Sequence, residues 1–312
     1  MNHDGSYLWG DLLNLELNED VRIINLEAAP TISINNPDIP RKERTRIHYH
    51  VNINNLPRLF SRFTHPYVLC LANNHSLDMG LTALITETIP NMPNSVGIGI
   101  NYSQAYSPII IGKCAIFAFG AGCSGIPSNW AAGSNKAGIA YLPPILNENN
   151  VVQAFEIIKL IVTEHIQIQN LCVVISIHWG PNWAETNDGQ IYREKLAHRL
   201  IDELGVDLIH GHSSHHIRGL ELYKNRLIIY GAGDFINDYE QISHNDNYDT
   251  AGALFVVDLD GQTFQLQQLL FIPFEIKQLQ CRMITDPSRI KMLKGFINKQ
   301  SIRDSEIPIL LL

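Results

Sequence analysis

Cysteine is scarce in this sequence, and the few cysteines form no recognisable pattern. No Cys-x-x-Cys pair occurs among the 312 residues. The five cysteines are widely spaced, at Cys70, Cys114, Cys123, Cys172 and Cys281. This spacing argues against a cysteine-bound zinc site and against a disulfide framework. Cys70 and Cys172 lie inside apolar runs, so we expect both to be buried, unreactive thiols.

Long apolar runs and an excess of basic residues are also absent. No apolar stretch approaches the roughly 20 residues that span a bilayer, so we expect no transmembrane segment. The first residues, MNHDGSYLWGDLL, lack the basic and apolar regions of a signal peptide. The sequence as written therefore predicts a cytoplasmic protein, and an upstream leader would place it outside the cytoplasm. With 23 Lys and Arg against 31 Asp and Glu, no nucleic-acid partner is expected.

Several catalytic signatures are missing as well. The chain contains no Gly-x-Ser-x-Gly nucleophile elbow, no P-loop and no Gly-x-Gly-x-x-Gly dinucleotide fingerprint. These absences argue against a serine hydrolase of the nucleophile-elbow type and against a nucleotide-dependent enzyme.

The apolar pattern that is present predicts a single α/β domain over residues 1–312. Short β-branched runs alternate with longer helical patterns. The predicted strands are 21–26, 67–72, 107–112, 114–120, 172–178, 206–211, 226–231, 252–259 and 264–272. The predicted helices are 80–90, 147–168, 190–204 and 286–299, with Gly205 suited to end the third. Residues 121–146 are rich in Gly, Ser, Pro and Asn and predict a long surface loop.

Polar residues that can bind metals follow four of these strands directly. The segments are RIINLE (22–27), LCLANNH (69–75), VVISIHWG (173–180) and VDLIHGHSSHH (206–216). In open α/β sheets ligands gather beyond the carboxyl ends of the strands. We therefore expect one sheet edge to collect Glu27, Asn74, His75, His178, His212 and His215. Nitrogen and oxygen donors without thiolate suit Zn, Mn, Fe or a pair of such ions.

Each of these residues also has a purely structural interpretation. His178 alone fits a hydrogen-bonded structural histidine, Asn74 fits a turn, and Glu27 fits a carboxylate exposed at a strand end. Four histidines within residues 210–216 are harder to explain in this way, because each needs a polar partner if it is buried.

The other residues of the histidine-rich segment are weaker candidates. Period-2 alternation places His210 on the strand, in a position to hydrogen-bond a metal-binding residue, and His216 can face away. The hydroxyls of Ser213 and Ser214 fit either binding of substrate oxygens or capping of the loop.

Several motifs in order resemble one known family. They are NLE (25–27), LANNHSLDMG (71–80), SIHWGPNW (176–183), HGHSSHH (210–216) and GAGDF (231–235). Together they resemble the CapA family of poly-γ-glutamate capsule biosynthesis proteins, within the calcineurin-like metallophosphatase superfamily. The resemblance covers about residues 7–275, which would form the core, with 276–312 as a C-terminal helix and tail. It implies a four-layer α/β/β/α sandwich with a dinuclear metal site at one sheet edge.

The resemblance also implies roles for individual residues. The metal ligands it implies are Glu27, Asn74, His178, His212 and His215, binding two divalent ions (Mn, Fe or Zn). His75 matches the general acid, Asp78 matches the acid that orients it, and Ser213 and Ser214 stand where relatives carry His-Pro. Asp234 stands where the wider family usually has Asn, so its role is open.

The sequence departs from the family pattern at its start. Related proteins begin with a strand that ends in Gly-Asp, whose Asp is a metal ligand. Here Gly10-Asp11 follows no apolar run and matches the later Trp-Gly-Asp at the head of a helix. The usual first strand therefore has no counterpart in this sequence, and one metal would lack a carboxylate.

Three functions stay open on these grounds. The first is a metal-dependent phosphoester hydrolase acting in capsule biosynthesis on an anionic polymer or a phosphoester. The second is a non-catalytic accessory factor that binds polymer or other capsule-synthesis proteins. The third is a metal-dependent γ-glutamyl amidohydrolase.

Overall fold

The computed structural model describes residues 5–15, 17–40, 47–166, 170–182, 189–238, 251–300 and 309–311. Its strands are β1 Arg22–Asn25, β2 Ala29–Thr31, β3 His50–Asn52, β4 Tyr67–Cys70, β5 Ser95–Val96, β6 Ile98–Gly99, β7 Ile109–Ile111, β8 Cys114–Ala121, β9 Gly138–Ile139, β10 Tyr141–Leu142, β11 Cys172–His178, β12 Leu208–His212, β13 Leu220–Tyr223, β14 Arg226–Ile229, β15 Ala251–Leu259, β16 Leu266–Lys277, β17 Gln280–Met283 and β18 Ile309–Leu311. Its α-helices are α1 Leu56–Leu59, α2 Gly80–Ala83, α3 Ile89–Asn91, α4 Tyr102–Tyr106, α5 Glu148–Ile166, α6 Gln190–Leu204 and α7 Pro287–Gln300.

The strands form a mixed α/β architecture, which confirms the predicted fold class. The largest sheet has the order β10-β8-β11-β12-β14-β13, with β7 added beside β8. Strands β10, β8, β11, β12 and β14 run parallel to one another, whereas β13 and β7 are antiparallel to their neighbours. A second sheet, β1-β4-β5, is parallel throughout. A third sheet contains the antiparallel strands β15, β16 and β17, with β18 beside β16.

Side chains alternate along β11 between two buried clusters. Val173, Ile175 and Ile177 belong to the cluster that contains Phe155 of α5 and Leu200 of α6. Cys172 and Val174 belong to a cluster that holds Val68 of β4 and Phe271 of β16. The largest sheet is therefore covered by helices on one face and by the second and third sheets on the opposite face. A strand buried on both faces reads as a continuous apolar run, as CVVISI does.

Helix α6 lies where its periodicity predicts it. It begins at Gln190 and ends at Leu204, and Gly205 follows in the left-handed region at φ 66°. The Gly205 N–H donates to the carbonyls of Leu200 and Ile201, which closes the last turn. The predicted helix 80–90 is also present, although a π-helical turn, Leu84–Thr88, separates α2 from α3. None of the described helices is long and apolar enough to cross a membrane.

The expected surface loop at 121–146 is in large part buried, which corrects the prediction. Ile126, Trp130 and Ile139 pack in one cluster with Leu71 and Leu77, next to the end of β4. The polar and glycine-rich composition of the segment predicted exposure, but the apolar side chains of Ile126, Trp130 and Ile139 fill this buried cluster. The segment also contributes β9 and β10, of which β10 extends the largest sheet.

Candidate metal centre at the ends of the parallel strands

The polar segments lie at the carboxyl ends of two pairs of parallel strands. Asn25, the last residue of β1, is in register with Cys70, the last residue of β4. In the largest sheet, His178 at the end of β11 is in register with His212 at the end of β12. The residues that follow β1 and β4 meet those that end β11 and β12, as the sequence predicts.

His178 joins the two sheets. Its Nε2 atom lies 2.9 Å from Oδ1 of Asn74 and 3.7 Å from Oε1 of Glu27. On the other edge of the ring, Nδ1 lies 2.8 Å from Nδ1 of His212. The His178 side chain is fully buried. One imidazole thus contacts residues that follow or end three other strands.

A serine on β11 holds the two histidines of β12. Ser176 Oγ lies 3.0 Å from Nε2 of His212 and 3.1 Å from Nδ1 of His210. His210 therefore lies on the strand and hydrogen-bonds a residue that touches His212, as its alternation predicts. Ser176 itself is fully buried.

Two asparagines fix the carboxylate of Glu27. Asn25 Nδ2 donates to Oε2 of Glu27 at 3.1 Å, and Asn73 Nδ2 donates to Oδ1 of Asn25 at 3.2 Å. Asn73 also donates to the carbonyl of Leu26 and accepts a hydrogen bond from the backbone N–H of His75. Asn73 is therefore more than a turn residue, because it ties the segment after β1 to the segment after β4.

His75 is paired with a buried acid. Its Nδ1 atom lies 2.6 Å from Oδ2 of Asp78, whose side chain is fully buried. The same Asp78 oxygen accepts the backbone N–H of Tyr49 at 2.7 Å, and the Tyr49 ring stacks on His75 with centroids 4.1 Å apart. The position and orientation of the His75 ring are thus fixed from two sides.

His215 is held by an acid of a later segment. Its Nδ1 atom lies 2.9 Å from Oδ1 of Asp234, and Asn237 Nδ2 donates to the other Asp234 oxygen at 2.8 Å. Carboxylates that hydrogen-bond one ring nitrogen of a histidine commonly orient the other nitrogen toward a metal. Asp234, whose role the sequence leaves open, occupies that orienting position.

The pKa values of the three buried histidines shift in different directions. Burial, and secondarily the charges of His75 and His215, lowers the pKa of His178 well below its ordinary value. Burial and the neighbouring His178 and His210 do the same to the pKa of His212. Burial also acts to lower the pKa of His215, but the hydrogen bond to Asp234 and the charges of Asp234 and Glu27 outweigh it and raise this pKa to about 9.

The hydroxyls of Ser213 and Ser214 bind backbone carbonyls. Ser213 Oγ donates to the carbonyl of Gly180 at 2.9 Å, and Ser214 Oγ donates to the carbonyl of His216 at 2.9 Å. Both serines are buried. This geometry favours loop capping, one of the two alternatives that the sequence leaves open.

The side chains that could bind a metal are hydrogen-bonded to one another or to neighbouring residues. Within the described ranges, no three His, Cys, Asp or Glu side chains surround a single point as the ligands of one ion would. Asp11 lies elsewhere: it accepts from Nη1 of Arg282 at 2.7 Å and from the backbone N–H of Met283 at 3.0 Å. Gly10-Asp11 thus ties the N-terminal segment to β17.

Three residues of this site escape the sequence analysis. Asn73 and Ser176 lie inside the motifs that resemble the family but have no assigned role there, and Tyr49 lies outside those motifs. The only available clue to Ser176 is that a hydroxyl on an otherwise apolar buried strand needs a polar partner.

Several known proteins are similar to this chain, one of them over most of its length. A probable polyglutamine synthesis accessory protein of Mycobacterium tuberculosis is 30% identical over 297 residues, which cover 89% of this chain and 72% of that protein. The PGA biosynthesis protein CapA of Bacillus subtilis is 27% identical over 176 residues, 55% of this chain and 42% of that protein. The capsule biosynthesis protein CapA of Bacillus anthracis is 35% identical over 66 residues, 21% of this chain and 15% of that protein.

The same resemblance appears at the level of the family. The family described as bacterial capsule synthesis protein PGA_cap matches residues 1–239, a span that holds the ends of β1, β4, β11 and β12. This match confirms the resemblance to CapA proteins that the motifs indicate. The chain therefore belongs to the bacterial capsule synthesis protein family PGA_cap.

Proposed function

We propose that this chain is a metal-dependent phosphoester hydrolase that acts in the synthesis of an anionic capsular polymer, poly-γ-glutamate. The observation that supports this most is the contact between Glu27, Asn74 and His178. Side-chain oxygens of Asn74 and Glu27 lie 2.9 Å and 3.7 Å from Nε2 of His178. Imidazole, amide and carboxylate donors without thiolate suit Mn, Fe or Zn.

The protonation states of His178 and His212 support the same proposal. A histidine binds a metal only through an unprotonated nitrogen. Because burial lowers the pKa of His178 and of His212, both rings are neutral near pH 7 and each keeps such a nitrogen. His215 has its Nδ1 committed to Asp234, so its metal-binding atom would be Nε2, and a metal would have to displace the Nε2 proton because the pKa of this ring is raised to about 9.

We propose that two divalent ions (Mn, Fe or Zn) bind here, with the ligands Glu27, Asn74, His178, His212 and His215. When bound, such ions polarise a phosphoryl oxygen and lower the pKa of an attacking water toward neutrality. Their binding would replace the hydrogen bonds that now join these side chains.

His75 is the residue that we propose to protonate the leaving oxygen. Asp78 accepts from Nδ1, so that Nε2 is the atom that carries the transferable proton when the ring is charged. The buried carboxylate stabilises the charged imidazole, and the Tyr49 N–H and ring keep the pair in place. Asp78 therefore acts as a positioning residue through His75.

The finer architecture is also a proposal. The helices α5 and α6, the largest sheet and the sheets packed against its other face correspond to three layers of a four-layer α/β/β/α metallophosphatase sandwich. The metal-binding residues would then lie where the carboxyl ends of the parallel strands of the largest sheet meet those of the second sheet.

A second candidate is a non-catalytic accessory factor that binds the polymer. Two observations favour it: Asp11 is engaged by Arg282 and Met283, and the Mycobacterium tuberculosis relative is named an accessory protein. In this alternative the same residues bind the polymer or an ion without turnover.

Turnover measurements separate these candidates. The purified protein is loaded in turn with Mn, Fe and Zn and offered phosphodiesters, phosphomonoesters and γ-glutamyl peptides. The proposal predicts metal-dependent release of alcohol or phosphate from the esters. Cleavage of the γ-glutamyl peptides alone would indicate an amidohydrolase, and no turnover in metal-loaded protein would favour the accessory factor.

A further inference from the structure

Arg193 is a buried cation that the proposed mechanism does not use. It lies in the first turn of α6, and only 2% of the residue is exposed. Its Nη1 atom is buried and has no hydrogen-bond partner among the residues that the structure describes. Burial lowers the pKa of Arg193, yet a guanidinium stays charged in proteins. Such a group is costly to bury unless an anion or an acceptor accompanies it.

The guanidinium lies between the two ends of the segment that connects β11 to α6. A Cβ atom at Gly180 would lie 2.9 Å from Nη1 and 3.1 Å from Cζ of Arg193, and one at Gly189 would lie 3.3 Å from Nη1. Both glycines have positive φ, at 81° and 88°. The absence of a side chain at both positions therefore lets the backbone approach the cation closely.

The backbone groups of Gly180 already make hydrogen bonds to other side chains. The Gly180 carbonyl accepts the hydroxyl hydrogen of Ser213, and the Gly180 N–H donates toward Sγ of Cys123 at 3.3 Å. The Glu194 carboxylate, one residue from Arg193, accepts instead from Gln190.

The N-terminus of α6 adds further donors at the same place. Gly189 is its N-cap and has no side chain to accept from the first N–H groups of the helix. A helix of 15 residues carries partial positive charge at this end, which favours an anion. The positive end of α6 and the Arg193 guanidinium thus lie together, and the guanidinium lies next to Gly180, which follows His178 by two residues.

We propose that Arg193 and the N-terminus of α6 form a binding site for one small oxyanion, a phosphate or a carboxylate group, beside the candidate metal centre. A planar guanidinium binds either group through paired hydrogen bonds. The small exposed fraction of Arg193 limits the occupant to a single anionic group, not a length of polymer. That the group belongs to the substrate or product rests on the proposed function; the anion site itself does not.

Anion binding by the metal-free protein tests this inference. Wild-type protein is held with a chelator at constant ionic strength and titrated with inorganic phosphate or glutarate, with Tm and heats of binding recorded. We expect saturable heats of binding, and a rise in Tm that reaches about 3 °C at ten times the Kd and grows further with the logarithm of the ligand concentration. The more effective ligand identifies the group as phosphate or carboxylate.

Two variants make the result specific. Arg193→Met is expected to lose the saturable effect, whereas Arg199→Gln, which removes a half-buried arginine of the same helix paired with Glu203, is expected to keep it. If Arg193→Met does not fold, Arg193→Lys serves, with weaker binding expected because the ammonium lacks the paired geometry.

Two results would overturn the inference: no saturable effect in wild-type protein, or equal effects in wild type and the Arg193 variant. Because no metal is present, an absence of turnover under the proposed function leaves this outcome unaffected.

Discussion

The Nε2 atom of His178 lies 2.9 Å from Oδ1 of Asn74, across 104 residues of sequence. One residue ends the central strand β11 of the largest sheet, and the other follows β4 of the second sheet. This contact links the largest sheet to the second sheet at the carboxyl ends of their parallel strands. It also gives the candidate site its position, because Glu27 and His212 approach the same ring.

Replacing His75 tests its role as the proton donor. We expect His75→Gln to lower kcat about 10²–10⁴-fold on an alkyl phosphoester, whose leaving oxygen needs a proton. The loss should be far smaller on a p-nitrophenyl ester, whose leaving group departs as a stable anion. His165→Gln is the control, since His165 lies on α5 and hydrogen-bonds the carbonyl of Ile161. Equal losses on both substrates would contradict the assignment.

Ser213 provides a test of loop capping against substrate binding. Its hydroxyl is buried and donates to the Gly180 carbonyl. Ser213→Ala should therefore lower the free energy of unfolding by about 1 kcal/mol, while KM stays unchanged. Ser61→Ala removes an exposed hydroxyl with a similar local bond and should have little effect on stability. A large rise in KM for Ser213→Ala would show that the hydroxyl binds substrate.

The buried neutral histidines predict acid lability of the metal-free protein. Burial lowers the pKa of His216 to about 4, with smaller contributions from the charges of Arg218 and His215, and it also lowers the pKa of His178 and of His212 well below the ordinary value. Above the ordinary histidine pKa of about 6.5 these rings are neutral in both folded and unfolded chains. Below it only the unfolded chain takes up the protons, so stability falls with falling pH.

Denaturation of the chelated protein between pH 7.5 and pH 4 measures this effect. Each such histidine contributes a slope of up to about 1.4 kcal/mol per pH unit over the window between its two pKa values. His216→Gln should therefore show a shallower slope than wild type between about pH 6.5 and pH 4. An unchanged slope would mean that His216 does not titrate in this way.

The helical face of the largest sheet predicts a strong packing effect. Phe155 of α5 is fully buried against that sheet, and the Arg199 guanidinium lies 3.9 Å from its ring centroid. Phe155→Ala should lower the free energy of unfolding by roughly 3–5 kcal/mol, because the cavity cannot fully collapse. Val152→Ala on the exposed side of the same helix should change it by less than about 0.5 kcal/mol. Chemical denaturation compares the two, and similar losses would contradict this packing.

Much of the fold could be predicted because its strands are strongly apolar and its helices are well delimited. The apolar periodicity of 190–204 and the glycine at 205 predict the bounds of α6, and the apolar run CVVISIH predicts β11. The segment LELY, which forms β13, carries too short and too mixed a pattern to stand out. The burial of 121–146 depends on where Ile126 and Trp130 meet Leu71, which no local pattern encodes.

The candidate site was predictable to the extent that it consists of strand ends. Parallel strands bring their carboxyl ends to one edge, so the grouping of His178 with His212 follows from topology. The residues that contact His75 and His215 do not follow from the order of the strands. Asp78 is local in sequence, whereas Tyr49 and Asp234 reach the site through tertiary packing.

Metal content is the measurement that tests the central claim most directly. Purified wild-type protein is stripped with a chelator, offered Mn, Fe or Zn, desalted and analysed for bound metal beside His178→Ala and the control His165→Ala. The account predicts that wild type and His165→Ala retain roughly two ions per chain, and that His178→Ala loses most of them because a missing ligand is not replaced. A well-folded wild-type protein that retains none of these metals would contradict it.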